Sequence, residues 1–164
     1  LVRSGQKTKS LKFQSIPRRT KLALQRKGSA RWQGDLKSGK GAVSTESGVL
    51  DWVPYGFSTR FEDEPGTNPE ELIGAAHAGC FSMAFAMILS EAGLVVEKID
   101  TSASVKLEKA DGGFAITAVH LTVQAKVPGA SNQQFEELAA KAKAGCPVSK
   151  LLKADISMDA SLLD

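Results

Sequence analysis

TNPEELIGAAHAGCFSMAFAMILSEAGL, residues 67–94, is the longest strongly patterned run in a chain of 164 residues. It opens with a helix-start signal. Asn68 can cap, Pro69 sits at the first helical position where a missing N–H costs nothing, and Glu71 falls at the third. Gly93 can take the left-handed conformation that ends a helix. At 1.5 Å per residue this predicts a helix roughly 35 Å long. Between Glu71 and Glu91 only His77 and Cys80 can ionise near neutrality. A helix apolar on nearly every side is buried on nearly every side, so it needs a sheet on one flank and a second helix on the other. Gly74, Ala75, Ala76, Ala78 and Gly79 would let another backbone approach, and Met83, Phe85, Met87, Ile88 and Leu89 would fill a core. The Gly, His and Ser interruptions argue against a membrane span.

Upstream of this helix, residues 28–61 read as β structure. Ala30 to Gln33 leads into a turn at Gly34-Asp35, Gly39 to Gly41 makes another, and Ser47-Gly48 turns again. A last strand ending near Ser58 to Phe61 would carry Arg60 to the rim of the sheet. Downstream, the alternation of Thr101 to Glu108 and of Phe114 to Val127 flanks Asp111-Gly112-Gly113, which predicts a long antiparallel hairpin. Ser131 or Asn132 starts a second helix, about Gln133 to Ala144. Pro147 opens a short helical turn, and Ala154 to Ala160 reads as a closing strand. Strands, helix, hairpin, helix and strand make an α+β fold.

Composition bounds the function. Hydrophobic residues make up 42% and charged residues 24%, ordinary for a soluble globular protein. The net charge of +3 is unevenly spread: residues 1–27 hold nine Lys/Arg and no acid, whereas residues 28–164 hold twelve Lys/Arg against all eighteen acids. The division expected is a basic arm, 1–27, and a single domain, 28–164. The arm reads as an expression-vector remnant or misassigned start, a targeting peptide, or a basic segment for anionic partners. The acidic domain argues against a nucleic-acid-binding face. Without a signal-like apolar stretch, and with only two cysteines, the chain reads as belonging to a reducing, cytoplasmic compartment.

Those cysteines are the candidate chemistry. Cys80 lies within the apolar helix, where a thiol usually serves as a small hydrophobe. Cys146 stands at a helix cap before Pro147, where free backbone N–H groups favour a thiolate, or where it merely packs a junction. If Cys80 reacts, its cation must come from elsewhere. Arg60 is the candidate, although a surface strand also accounts for it. His77 and Cys80 are three residues apart on one helix, but with His120 and Cys146 as the remaining His and Cys ligands a zinc site is weakly supported. His77 reads as a packed or hydrogen-bonded side chain and His120 as a half-exposed strand residue. No Ser-His-Asp ordering and no phosphate-binding glycine loop stands out.

The segments KGSARWQGD, GKGAVSTESGVL, PYGFSTRFE, PGTNPEELIGAAHAGCFSMA and KAKAGCPVSKLLKADI span Lys27 to Ile156. Together they resemble the OsmC/Ohr family of thiol-dependent peroxidases, the OsmC (osmotically inducible protein C) branch closely. The resemblance implies antiparallel sheets wrapped around a long central buried helix, in an intertwined homodimer. It implies that Cys80 is the peroxidatic cysteine, Cys146 the resolving one, and Arg60 with Glu70 the activating pair. It further implies reduction of organic hydroperoxides, with hydrogen peroxide a poorer substrate, and no metal or other cofactor. A dithiol of dihydrolipoyl type would restore the thiols, and neither nucleic acid nor membrane would be a partner. Phe57, Phe81 and Met83 are candidates to line the substrate pocket. The rival is a non-enzymatic module of the same fold that binds an apolar ligand or a partner in the dimer groove.

Overall fold

A computed structural model describes residues 23–164, so positions 1–22 of the basic arm lie outside the described residues. Strands β1 (Gly28–Gln33), β2 (Lys40–Thr45) and β3 (Val53–Tyr55) form an antiparallel sheet in that order. The turn between β1 and β2 is built by Gly34 at φ 92° and by the Asp35 carboxylate, which accepts from the N–H groups of Lys37 and Ser38. Gly41 has no room for a side chain, because the rings of Trp32 and Tyr55 close over it.

The strand end expected near Ser58 to Phe61 is instead a five-residue helix, α1 (Phe57–Phe61). The local reason is a cap. Thr59 Oγ1 accepts from Gly56 N at 3.0 Å, which turns the chain out of β3 into one helical turn. Residues 57–61 are too few for a 3.6-residue period to show.

Helix α2 (Pro69–Glu91) starts where the sequence places it: the Asn68 side chain accepts from Glu71 N at 2.9 Å. Gly93, at φ 77°, follows its last turn. The helix lies on a second sheet made of β4 (Lys98–Ala110), β5 (Gly113–Lys126) and β6 (Asp155–Leu163). The β4–β5 hairpin turns at Gly112, φ 92°, and its register slips at Lys106/Leu107. β6 pairs with β5 in parallel, not antiparallel as expected. Helices α3 (Asn132–Gly145) and α4 (Pro147–Leu151) carry the chain back along the sheet, so β6 re-enters in the direction of β5.

The core lies between this sheet and the helices. Phe81, Phe85 and Leu89 of α2 pack against Leu121, Val123 and Ala125 of β5 and against Phe135, Leu138, Ala139 and Ala142 of α3. Phe85 meets Phe135 edge-on at 5.2 Å. A Cβ on Gly74 would stand 3.0 Å from the Ala103 carbonyl oxygen, so the missing side chain sets the depth to which α2 beds on β4.

The expectation of burial all round α2 fails within one chain. The buried positions Gly74, His77, Phe81, Phe85 and Leu89 form a single stripe. On the far side Ala76, Gly79, Met83 and Met87 are exposed, Met83 by 78%. One chain has one sheet to lay against the helix, and α3 and α4 reach only its flank. By length and composition α2 could cross a membrane, but its packed stripe is that of a core helix. The first sheet stands away from the second, and α1 bridges them where Phe61 stacks on Phe114 at 5.1 Å.

Candidate active site

Two pairs of predicted residues meet, at different points along α2. The first pair is Arg60 with Glu70. Asn68 ties the end of α1 to the start of α2, its Nδ2 donating to Thr59 O at 3.2 Å while its Oδ1 caps α2. That tie brings Arg60 opposite Glu70, in the first turn of α2. Arg60 Nη2 donates to Glu70 Oε1 at 2.7 Å and Nε to Oε2 at 3.1 Å. The fork fixes the guanidinium plane, which a single contact would leave free to swing. Beside it Trp32, Leu36, Tyr55, Gly56, Phe57 and Phe61 line a largely apolar hollow of 290 Å³.

The second pair is the thiols. Cys80 Sγ and Cys146 Sγ lie 3.1 Å apart and unbonded, 66 residues apart in sequence. Cys146 is fully buried and Cys80 half-buried. Burial pushes the Cys80 thiol up; the Val148 N–H works against this and the neighbouring Cys146 reinforces it. Burial also opposes ionisation of Cys146, but the Ser149 N–H, the Cys80 thiol, the Ser149 hydroxyl and the Val148 N–H outweigh it and hold this thiol below the usual range. Cys146 makes no full capping hydrogen bond on α4, so these donors act as aimed dipoles. Cys146 thus faces more donors than Cys80 and is held lower, while burial holds Cys80 higher.

Arg60 is not among the groups acting on either thiol. Glu70 and Cys80 are ten residues apart on one helix, about 15 Å along its axis. A single chain therefore holds the ion pair and the thiol pair as separate halves.

Of the residues expected to line a pocket, Phe57 borders the hollow beside Arg60. Phe81 is instead fully buried in the core, and Met83 lies on the bare face of α2. Sequence reasoning left Ser149 out. Its hydroxyl meets His77 Nε2 at 2.8 Å across 72 residues, and no local pattern signals that contact. It also did not foresee that His120 would sit between Ser157 (Nδ1 to Oγ, 2.6 Å) and Asp159 (Nε2 to Oδ2, 3.1 Å). That set bridges β5 and β6 on the open face of the sheet, with Asp159 81% exposed. Among the described residues, no three His, Cys, Asp or Glu side chains gather as a metal site.

Comparison with known proteins adds an independent line. The family described as OsmC-like protein matches residues 61–161. Peroxiredoxin OsmC of Escherichia coli (strain K12) is 58% identical over 141 residues, covering 86% of this chain and 99% of that protein. Organic hydroperoxide resistance protein OhrB of Bacillus subtilis (strain 168) is 30% identical over 123 residues, covering 74% and 88%. The OhrB crystal structure matches with a TM-score of 0.62 over 85% of this chain and 98% of that one, at 25% identity. An OsmC-like protein of unknown function from Vibrio cholerae O1 biovar eltor matches with a TM-score of 0.68 over 84% and 99%, at 19% identity, which speaks to the fold alone.

Proposed function

The chain belongs to the OsmC/Ohr family, and we propose that it is a thiol-dependent peroxidase that reduces organic hydroperoxides in stress defence. The observation that carries this reading is the pair of free sulfurs at 3.1 Å, one in the central helix and one at the start of α4. Two thiols so placed can be oxidised to a disulfide without rearranging the fold. The relatives named peroxiredoxin and organic hydroperoxide resistance protein support the same chemistry.

In the proposed mechanism the Cys80 thiolate attacks the terminal peroxide oxygen. The O–O bond breaks, the alcohol leaves, and Cys80 becomes a sulfenic acid. Arg60 donates to the departing oxygen, aimed by Glu70. Cys146 then attacks the Cys80 sulfur, forming the disulfide and expelling hydroxide, which becomes water. An external dithiol of dihydrolipoyl type restores both thiols by exchange. The apolar hollow beside Arg60 favours alkyl hydroperoxides over hydrogen peroxide. A reducing cytoplasm suits a cycle that starts from free thiols.

The separation of the two halves is the ground for a homodimer. We infer that a second copy covers the Ala76, Gly79, Met83 and Met87 stripe with its own α2 and lays its first sheet, with Arg60, over Cys80. The arrangement supplies the cation that Cys80 lacks within one chain, and it encloses α2 as a central helix between two sheets. It treats residues 28–164 as one domain.

The direct test is to titrate the reduced protein with tert-butyl hydroperoxide and map the sulfur products by mass spectrometry. The expected product is a Cys80–Cys146 disulfide formed mole for mole with peroxide consumed. Cys80→Ser should abolish consumption. Thiols that survive excess peroxide unmodified would instead mark a binding module of the same fold.

A further inference from the structure

His77 has no part in the steps above, yet it is the one polar side chain in the buried interior among the described residues. Its Nε2 contacts the Ser149 hydroxyl at 2.8 Å, while its Nδ1 is enclosed and has no partner. An enclosed ring nitrogen without a partner is better tolerated as a bare acceptor than as an orphaned N–H. The ring proton therefore belongs on Nε2, and Nε2–H donates to Ser149 Oγ. The Ser149 hydroxyl proton is thus free to point elsewhere. Cys146 is the cap of α4 and Ser149 its third residue, the spacing at which a side chain folds back over its cap. The group it meets there is the Cys146 thiol, which the Ser149 hydroxyl helps to hold low.

We propose that His77 and Ser149 form a two-link donor chain that holds Cys146 as a thiolate directed at Cys80, which makes His77 a positioning residue for the disulfide-forming step. The assignment rests on the resolving role given to Cys146 above. The chain donates hydrogen bonds and moves no proton. Cys146 loses its proton to solvent, its thiolate attacks the Cys80 sulfenic sulfur, the S–S bond forms as the S–O bond breaks, and the departing hydroxide is protonated by water. Cys146 is oxidised and the Cys80 sulfur is reduced.

The Ser149 and Val148 N–H groups and the Cys80 thiol act on Cys146 in the same direction, and among the described residues no charged side chain joins them. Burial keeps the His77 ring neutral near pH 7. Lys143 on α3 donates to the Ile156 carbonyl at 3.0 Å, and Lys150 on α4 is exposed. Cys80, the remaining neighbour, lies sulfur to sulfur with Cys146 at 3.1 Å.

The test reads ionisation and resolution separately on the full chain. In a Cys80→Ser background, ultraviolet thiolate absorbance follows Cys146 alone. Ser149→Ala should raise its apparent pKa by about one unit, a tenfold loss of thiolate at a fixed lower pH, since a hydrogen bond to a charged group is being removed. Ser149→Thr should restore it. His77→Phe, which keeps a ring in the core, should move it in the same direction by about threefold, and His77→Gln should recover part of that. Nitrogen NMR should show the His77 proton on Nε2.

With Cys80 present, rapid mixing with tert-butyl hydroperoxide should show Ser149→Ala slowing disulfide formation about tenfold relative to sulfenic-acid formation. A Cys146 that ionises equally in the parent, Ser149→Ala and His77→Phe would overturn the proposal. So would a proton on Nδ1, or equal slowing of both steps. If the parent forms no sulfenic acid, the peroxidase reading fails, and the ionisation result still decides this one.

Discussion

The sharpest prediction concerns which chain supplies the guanidinium. Glu70 and Cys80 stand about 15 Å apart along a straight helix, and Arg60 is clamped to Glu70. In the proposed dimer the Arg60 that serves Cys80 would therefore come from the partner subunit. Arg60→Ala alone should slow peroxide reduction about 100-fold or more, the usual loss for one donor to a developing oxyanion. Cys80→Ser alone should be inactive. When the two variants are unfolded together and refolded at equal concentration, random pairing makes half of the dimers mixed. Each mixed dimer carries one intact Cys80 facing one intact Arg60, and its other site lacks both. The mixture should recover about one quarter of the parental rate per chain, given symmetric pairing. The assay is peroxide consumption with excess dithiol, with light scattering to verify pairing. If the mixture stays below about 1% of the parental rate while forming mixed dimers, the guanidinium acts within its own chain and the reasoning is wrong.

Other outcomes follow from the packing. Phe85→Ala, at the fully buried centre of the core, should cost about 3–5 kcal/mol in urea unfolding of the reduced protein. Gly74→Val should cost about 1–3 kcal/mol, because its branched side chain would press on the Ala103 carbonyl. The pH dependence of stability should carry a His77 signature. Its folded pKa lies below the ordinary 6.5, so the unfolded chain takes up the proton more readily. Stability is then full above pH 6.5 and falls as pH drops from there through the folded pKa. Urea midpoints measured across that range should decline in the parent and flatten in His77→Gln; an equal decline in both would assign the effect elsewhere.

Much of the fold is written locally. Asn68-Pro69 and Gly93 mark the ends of α2 through capping chemistry, and Asp111-Gly112 marks the hairpin because a positive φ is needed there. What local pattern does not encode is direction and assembly. The alternation in β6 is the same whether it runs with β5 or against it, and only the α3–α4 crossover decides. The apolar character of α2 predicts cover on all sides, whereas one chain covers one side. At the candidate site the order is similar. Arg60 and Glu70 are ten residues apart, and the Asn68 cap that joins them lies in between. The contacts of Cys80 with Cys146 and of His77 with Ser149 span 66 and 72 residues, where only tertiary structure makes neighbours.

The proximity of the two sulfurs also bears on the unfolded chain. Joining Cys80 to Cys146 closes a loop of 66 residues, which on chain-entropy grounds removes about 4 kcal/mol of freedom from the denatured ensemble. The oxidised protein should therefore melt well above the reduced one. By the same thermodynamic cycle the folded protein holds the bond against reduction by that amount relative to the unfolded chain, so the reductant must be correspondingly stronger.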